Sequence, residues 1–280
     1  AAKIGKKILG QMGIATYIPF PKFSFKTLRG EKKIRSRGNR KIAFFYGCFI
    51  NFYRPDIGRK IMRMLQSFDI NVVLPPQVCC GLPALGNGNL ALARTFARKN
   101  VASLSNYIDA GYDIVYTCTS CGLCLLQDYM GILEIPEAKK IAENSYDLHE
   151  YLLKLIAERE ISPAFWEVNR SLAYHIPCHL RALKIGYPAA ELMKRIPGLD
   201  VAILDDACCG LSGSYGFKTT NEATACELGA RAVSLIRKTG AKAIVADCGS
   251  CRMQLSGLSG MDAFDPSEIL CESLGIRNKK

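Results

Sequence analysis

The chain has 280 residues, of which 49% are hydrophobic and 22% are charged, so its composition is that of a globular protein and excludes a disordered chain. No apolar run reaches the ~20 residues that a membrane-spanning helix needs, and no secretory signal is visible at the start. The net charge is +12, and residues 1–41, with twelve Lys or Arg and one acid, carry +11 of it. The basic character therefore belongs to the N-terminal segment.

We interpret residues 1–40 as a basic N-terminal arm with a linker. Lysines alternate there with apolar and aromatic side chains, and Pro19 and Pro21 exclude a continuous helix. We expect such an arm to dock on an anionic membrane surface or on an acidic protein surface, with a solvated tail as the alternative. Nucleic acid is not an expected partner, because no nucleic-acid-binding motif accompanies the charge.

After residue 40, short apolar runs alternate with amphipathic segments. In residues 41–160, buried strands are predicted at 41–47, 70–74 and 112–116, and helices at 55–68, 89–110 and 146–156. In residues 171–280, strands are predicted at 172–177, 199–204 and 243–247, and helices at 188–195, 221–238 and 269–274. This order predicts an α/β fold with two pseudo-symmetric halves, each built on a parallel sheet.

Ten of the 13 cysteines form a duplicated array of five. The first set is Cys48, Cys79, Cys80, Cys118 and Cys121, and the second set is Cys178, Cys208, Cys209, Cys248 and Cys251. Both sets span 73 positions, and each member of the second lies 129 or 130 residues after its counterpart, which identifies an internal repeat. Because the cysteines follow predicted strands, we expect them at the carboxyl ends of the sheets, where open α/β folds hold ligands.

The donor type limits the chemistry of these sets. Grouped thiolates select zinc, copper(I) or iron–sulfur clusters, and a chain without a secretory signal favours metal or redox chemistry over structural disulfides. A structural zinc site uses four ligands, usually in two Cys-x-x-Cys pairs, which fits five cysteines with an adjacent pair poorly. Iron–sulfur clusters are therefore favoured, and zinc or catalytic disulfides remain as alternatives.

Residues beside the cysteines are candidates for supporting roles. Gly81 and Gly210 follow the adjacent cysteine pairs, where a residue without Cβ lets the backbone turn sharply against an inorganic group. His175 and His179 flank Cys178, and each either donates a hydrogen bond to a cluster sulfur or packs at the strand end.

Other candidates receive simpler interpretations. His149 is expected on the exposed face of its helix. Cys226 and Cys271 are expected to be inert, small hydrophobic residues, and Cys124 lies outside the repeat.

A resemblance adds to this interpretation. Each set, read as Cys, then Cys-Cys-Gly, then Cys-x-x-Cys, resembles the cysteine-rich CCG domain found in the B subunit of heterodisulfide reductase and in iron–sulfur subunits of flavin-dependent dehydrogenases. The latter include those of glycolate oxidase, the lactate utilisation proteins and the C subunit of anaerobic glycerol-3-phosphate dehydrogenase. The segments that resemble this last branch are 21–27, 46–52, 174–179, 208–218 and 247–252.

The resemblance implies electron transfer through two non-cubane 4Fe–4S clusters bound by the ten cysteines. It further implies a flavoprotein dehydrogenase subunit that oxidises the substrate, a quinone or other electron acceptor, and a peripheral position on the inner face of the cytoplasmic membrane. The ferredoxin-like region typical of the glycerol-3-phosphate branch is not found here, so a preceding domain or another subunit is expected to supply it. Both cysteine sets are complete, as in the heterodisulfide reductase branch, so disulfide reduction at the cluster remains the alternative.

Overall fold

The computed structural model describes Ser24, residues 27–31, Ser36 and residues 38–277. The predicted docking role of the N-terminal arm falls almost entirely outside these residues. Within the arm, Leu28 is fully buried against the helix Pro55–Ser67, where Gly58 leaves room for it. A Cβ on Gly58 would lie 2.6 Å from Leu28 Cδ2, so this contact requires glycine or a shift of the leucine.

Each half contains a four-stranded parallel sheet. The first half has β1 (Lys41–Phe45), β2 (Asn71–Val73), β3 (Asp113–Tyr116) and β4 (Ser145–Asp147), in the order β2-β1-β3-β4. The second half has β5 (Arg170–His175), β6 (Leu199–Leu204), β7 (Ala243–Val245) and β8 (Ala263–Phe264), in the order β6-β5-β7-β8. The two orders are equivalent strand for strand, which confirms the predicted α/β fold of two pseudo-symmetric halves.

Helices connect the strands and cover the sheets. In the first half they are Gly47–Phe52, Pro55–Ser67, Leu82–Gly86, Leu90–Asp109, Thr119–Leu123, a π-helix Cys124–Asp128, Tyr129–Gly131, Ala138–Glu143 and Leu148–Ala157. In the second half they are Cys178–Leu183, Pro188–Met193, Glu222–Lys238, Gly249–Ser259 and Pro266–Ser273. None of the helices in the described ranges is long and apolar enough to cross a bilayer.

The fourth strand of each sheet was not predicted. Residue 146 was expected to begin a helix, but it lies in β4, and the helix begins at Leu148. The Asp147 carboxylate caps this helix by accepting a hydrogen bond from the backbone N–H of His149 at 2.8 Å. Strands of three and two residues, such as β4 and β8, are too short to show a periodic pattern in the sequence.

One hydrophobic core joins the two halves. Ile61, Met64 and Leu155 of the first half belong to the same buried cluster as Leu192 and Leu270 of the second half. Each is at most 1% exposed, and burial of such a side chain stabilises the fold by about 1.5 to 3 kcal/mol. This shared core fixes the carboxyl ends of the two sheets relative to each other.

Candidate metal centre

The cysteines of both sets lie just after strands. Cys48 and Cys178 stand at the first turns of the helices that follow β1 and β5. The pairs at 79–80 and 208–209 lie in the loops after β2 and β6, and the Cys-x-x-Cys motifs begin the helices that follow β3 and β7. The carboxyl ends of neighbouring parallel strands meet at one sheet edge, so each five-cysteine set is gathered there, as the sequence predicted.

The thiols of the first set touch one another. Cys79 Sγ lies 4.0 Å from Cys48 Sγ. Hydrogen bonds from the thiols of Cys121, Cys124 and Cys79 hold the pKa of Cys80 well below its ordinary value despite complete burial. A hydrogen bond from Cys79 also lowers the pKa of Cys48, so Cys80 and Cys48 are the members of this set that their neighbours favour as thiolates.

The second set is equally crowded. Cys251 Sγ lies 3.3 Å from Cys209 Sγ, and the backbone N–H of Gly210 donates to Cys208 Sγ at 3.3 Å. Hydrogen bonds from Cys208 and Cys251 hold the pKa of Cys209 well below its ordinary value, and His175 acts in the same direction. Cys209 thus corresponds to Cys80 both in sequence and in charge preference.

The two sets meet at equivalent positions, Cys118 and Cys248. A hydrogen bond from Cys118, followed by one from Cys251, holds the pKa of Cys248 well below its ordinary value. Cys121 lowers the pKa of Cys118, but Cys248 and burial outweigh it and raise that pKa to about 12. Since thiols of both halves interact directly, nine of the ten cysteines form one continuous group, and the exposed Cys178 feels the charge of Cys209 and Cys248.

The predicted histidine His179 reaches across this junction. Its Nδ1 lies 2.8 Å from Ser120 Oγ, and Ser120 Oγ lies 3.6 Å from Cys248 Sγ. His179 therefore contacts the Cys-x-x-Cys segment of the other half, which a linear sequence could not reveal. Its role towards a cluster stays a prediction.

Gly81 and Gly210 both adopt left-handed backbone conformations, with φ of 99° and 91°. A Cβ on Gly210 would lie 2.2 Å from the carbonyl oxygen of Ala225, and one on Gly81 would lie 3.4 Å from that of Ala93. Glycine is thus required at 210 by both the turn and the helix packed behind it. Contact of these glycines with a cluster stays a prediction.

A cavity of about 240 Å³ opens between the halves beside the first set. Four cysteines of that set line it, and the second half contributes the polar side chains of Asp247, Ser250 and Arg252. The other lining side chains are mostly apolar and include Tyr46, Phe49, Ile50, Tyr53, Leu82, Pro83, Phe217 and Met253. A small molecule or an inorganic group in this space would touch thiols on one side and apolar side chains on the other.

Cys124 lies closer to the first set than the repeat suggested. It is 1% exposed, hydrogen-bonds with Cys80, and begins the π-helix Cys124–Asp128, with its Sγ 3.5 Å from Asp128 Oδ2. π-Helical turns are frequent at functional sites. The spacing Cys118-x-x-Cys121-x-x-Cys124 was the available sequence signal, and the second half has Gln254 at the equivalent position.

His149 was expected on the surface, and this prediction was wrong. The side chain is fully buried, with Nδ1 3.3 Å from Asp147 Oδ1 and 3.7 Å from Asp247 Oδ1. Burial lowers the His149 pKa, but the carboxylates of Asp147 and Asp247 outweigh it and raise the pKa to about 9. The sequence pattern of this helix placed His149 on its polar face, which was expected to be exposed. In the structure the second half covers that face, and Ser267 Oγ lies 3.3 Å from His149 Nε2.

Asp247 connects this buried group to the cysteines. It directly precedes Cys248 and accepts a hydrogen bond from the hydroxyl of Tyr174. Burial raises its pKa to about 7. Asp247 therefore links the buried His149 to the wall of the cavity, which it also lines.

The donor set fits an iron–sulfur group. The ten cysteines of the two sets lie in the described part of the chain, and all ten are free thiols. The ten members of the two sets are too many for a four-ligand zinc site, and nine of them are partly or fully buried. Two pairs of sulfurs lie 4.0 Å and 3.3 Å apart. The lowered pKa values of Cys80, Cys209 and Cys248 favour their thiolate forms, and thiolates are the ligands that soft metal ions prefer.

Comparisons with known proteins agree with the repeat. The family model described as "Cysteine-rich domain", CCG, matches residues 42–126 and 172–256, and each match contains one complete cysteine set. The C subunit of anaerobic glycerol-3-phosphate dehydrogenase from Escherichia coli (strain K12) is 29% identical over 260 residues, which cover 91% of this chain and 65% of the relative. The B subunit of fumarate reductase (CoM/CoB) from Methanothermobacter marburgensis is 30% identical over 241 residues, 82% of this chain and 46% of the relative.

A third relative is similar in length. Lactate utilization protein A from Bacillus pumilus is 28% identical over 229 residues, which cover 78% of this chain and 91% of the relative. The chain thus spans less than two thirds of the glycerol-3-phosphate dehydrogenase and fumarate reductase subunits but most of the lactate utilization protein.

A solved structure shares the architecture. The crystal structure of a hypothetical protein from Helicobacter pylori aligns with a TM-score of 0.52 at 13% identity, covering 99% of this chain and 55% of that chain. At this identity the likeness concerns the fold alone. The predicted resemblance is confirmed by the two family matches, which together cover more than half of the sequence, and the chain belongs to the CCG cysteine-rich domain family.

Proposed function

We propose that this chain is an iron–sulfur electron-transfer subunit of an oxidoreductase complex, and that its two cysteine sets hold two non-cubane 4Fe–4S clusters. The observation that carries the proposal is the gathering of ten free cysteines at the strand ends of the two halves, nine of them in one continuous group of interacting thiols. The relatives are named as subunits of dehydrogenase and reductase complexes, which supports a redox role alongside partner subunits.

The chain's own residues would protect and tune such clusters. Iron–sulfur clusters supply one-electron redox chemistry when they are bound. Cys80, Cys121, Cys209 and Cys251 are at most 6% exposed, so the fold would exclude water from these four ligands. The N–H of Gly210 donates to the sulfur of Cys208, and such hydrogen bonds stabilise negative charge on sulfur and raise the reduction potential.

The junction at Cys118 and Cys248 supports electron exchange between the two sets, because their thiols interact directly. We propose a glycerol-3-phosphate type of complex, in which a flavoprotein subunit oxidises the substrate and a quinone or another carrier accepts the electrons. A ferredoxin-like domain or subunit would supply further clusters. The complex would lie in the cytoplasm at the inner face of the membrane, with the basic arm of residues 1–40 on anionic lipid.

An anaerobic redox experiment tests the proposal. The full chain, purified without oxygen, is reduced with dithionite in the presence of a mediator dye and then mixed with the water-soluble quinone menadione, while visible absorbance and EPR are recorded. The proposal expects reversible bleaching and rapid reoxidation by the quinone. Cys79→Ser and Cys208→Ser should each remove part of the signal, whereas Cys226→Ser, outside both sets, should leave it unchanged. A colourless protein that takes up no electrons contradicts the proposal.

One observation favours disulfide reduction as a second candidate. The cavity beside the first set gives a small molecule access to Cys48, Cys80, Cys118 and Cys121. Reduction of a disulfide to two thiols consumes two electrons and two protons, which a mediator dye and water would supply. The discriminating measurement is thiol release from small organic disulfides by the reduced chain. Release at the rate of the dye alone excludes this candidate.

A further inference from the structure

The two halves differ at one position beside their cysteine sets. β1 ends at Phe45 and β5 ends at His175, and each residue stands three positions before the first cysteine of its set. Both side chains are 1% exposed. The second half therefore buries an imidazole where the first half buries a phenyl ring.

The imidazole lies among the thiols of the second set. A ring nitrogen of His175, Cys209 Sγ and Cys251 Sγ lie within 4.8 Å of one another, and the two sulfurs are 3.3 Å apart. A tetrahedral metal bound at about 2.3 Å to sulfur and about 2.0 Å to nitrogen holds neighbouring donor atoms roughly 3.5 to 4 Å apart. The three donors thus need only small movements to share one metal ion.

The equivalent place in the first half offers no such donor. Phe45 belongs to the same buried cluster as Cys80 and Cys121, the counterparts of Cys209 and Cys251. The phenyl ring of Phe45 has no atom that could coordinate a metal ion beside these thiols. The two halves can therefore be compared directly, because only the second has a nitrogen donor at this position.

We propose that His175 would be a nitrogen ligand of the iron–sulfur cluster held by the second cysteine set, beside the ligands Cys209 and Cys251. This inference rests on the proposed function. All five cysteines of the second set are present, so the imidazole adds a neutral donor to this cluster and replaces no thiolate. Because axial and terminal ligands tune the potential of a cluster, we expect the two sets to differ in reduction potential.

Nitrogen-sensitive pulsed EPR tests the assignment without relying on activity. The chain has three histidines, His149, His175 and His179. The full chain is produced with ordinary and with 15N-labelled histidine, reduced anaerobically and measured by ESEEM or HYSCORE. We expect the strong nitrogen coupling of a directly bound imidazole, and we expect it to change on labelling.

Variants then assign the coupling. His175→Phe, which copies the first half, should abolish it and shift one midpoint potential. His149→Gln and His179→Gln should retain it. If His175→Phe does not assemble, His175→Cys replaces the imidazole with another iron ligand. It should keep the iron, lose the nitrogen coupling and lower the same potential.

Two results would overturn the inference. One is an iron-loaded wild type in which histidine labelling reveals no coupling, or only the weak coupling of a hydrogen-bonded ring. The other is strong coupling that persists in His175→Phe or His175→Cys. In both cases iron and acid-labile sulfide stay bound, so the proposed function stands. Failure of the proposed function shows itself differently, as a wild type without iron or sulfide.

Discussion

The hydroxyl oxygen of Ser120 lies 2.8 Å from Nδ1 of His179, so a residue of the first Cys-x-x-Cys segment bonds to the residue after the first cysteine of the second set. The repeat produces the reciprocal contact. Phe49, which follows Cys48, packs against Gly249 of the second Cys-x-x-Cys segment. Each half thus contacts the Cys-x-x-Cys segment of the other, which fixes the two cysteine sets relative to each other.

Removal of the Ser120 hydroxyl should change the redox properties more than the stability. Ser120→Ala deletes the hydrogen bond with His179 and the contact with Cys248 Sγ at 3.6 Å. Loss of a hydrogen bond near a charged sulfur disfavours the reduced state, so we expect one midpoint potential to fall by on the order of tens of millivolts. An EPR-monitored potentiometric titration measures this shift.

The matched control for that variant is Ser250→Ala, at the equivalent position of the second half. An equal shift in Ser250→Ala, or no shift in Ser120→Ala with the iron content intact, would show that the bridge to His179 does not tune the centre.

The contact between Phe49 and Gly249 should tolerate no added methyl group. A Cβ on Gly249 would lie 2.6 Å from the Phe49 ring. We expect Gly249→Ala to lower the free energy of unfolding by about 1 to 3 kcal/mol through overpacking. Urea unfolding of the anaerobic protein, followed by circular dichroism, measures the change.

Two variants make this prediction specific. Gly86→Ala serves as the control, because a Cβ there meets nothing within 4 Å. Adding Phe49→Ala to Gly249→Ala should remove the clash, so the two changes together should cost less than the sum of their separate costs. If the losses in free energy of unfolding of the two single variants add exactly in the double variant, the Phe49 ring is not what excludes a side chain at position 249.

The buried Arg252 should be a strong determinant of stability. Its Nη1 donates to Asp265 Oδ2 at 2.7 Å and to the carbonyl oxygen of Ala246 at 2.6 Å. Arg252→Met leaves the Asp265 carboxylate buried without its partner, which typically costs about 3 to 5 kcal/mol. Arg231→Met, which removes an exposed pair with Glu227, should change unfolding by less than about 1 kcal/mol. Comparable urea midpoints for the two variants would contradict this difference.

The stability should fall as the pH rises through the titration of His149. The folded protein raises the His149 pKa from 6.5 to about 9, so the protonated form favours folding. The stabilisation is complete below about pH 6.5 and is lost as the pH approaches 9, with a total of about 3 kcal/mol.

Urea unfolding at several pH values checks the His149 prediction. His149→Gln should flatten the decline between pH 7 and 9. The raised pKa of Asp247, about 7, acts in the same direction, but mainly below pH 7. A wild-type stability that is constant or rising between pH 7 and 9 would contradict the assignment.

Much of the fold and the cysteine centre could be predicted from the sequence. The duplicated spacing predicted two equivalent halves, and strands before each cysteine predicted a site at the sheet edges. These features depend on local order along the chain, which the pattern records directly. The strand Leu199–Leu204 was predicted with its observed bounds.

The missed features depend on packing between the halves. Two of these features are contacts between segments distant in sequence, namely the hydrogen bond between Ser120 and His179 and that between Cys124 and Cys80. The third is the burial of His149, which no local sequence pattern indicates. A histidine on an amphipathic helix is expected to be exposed unless a second half covers it. The short strands β4 and β8 were missed because their pairing, not their composition, defines them.

The most direct test of the central claim is the iron and acid-labile sulfide content of the anaerobically purified chain, measured with its metal spectrum and EPR. Two loaded cysteine sets predict about eight irons and a matching amount of sulfide per chain, with an EPR signal that changes on reduction. About four irons would leave one set empty, and Cys79→Ser and Cys208→Ser would show which. A colourless protein that contains zinc and no labile sulfide would contradict the electron-transfer account.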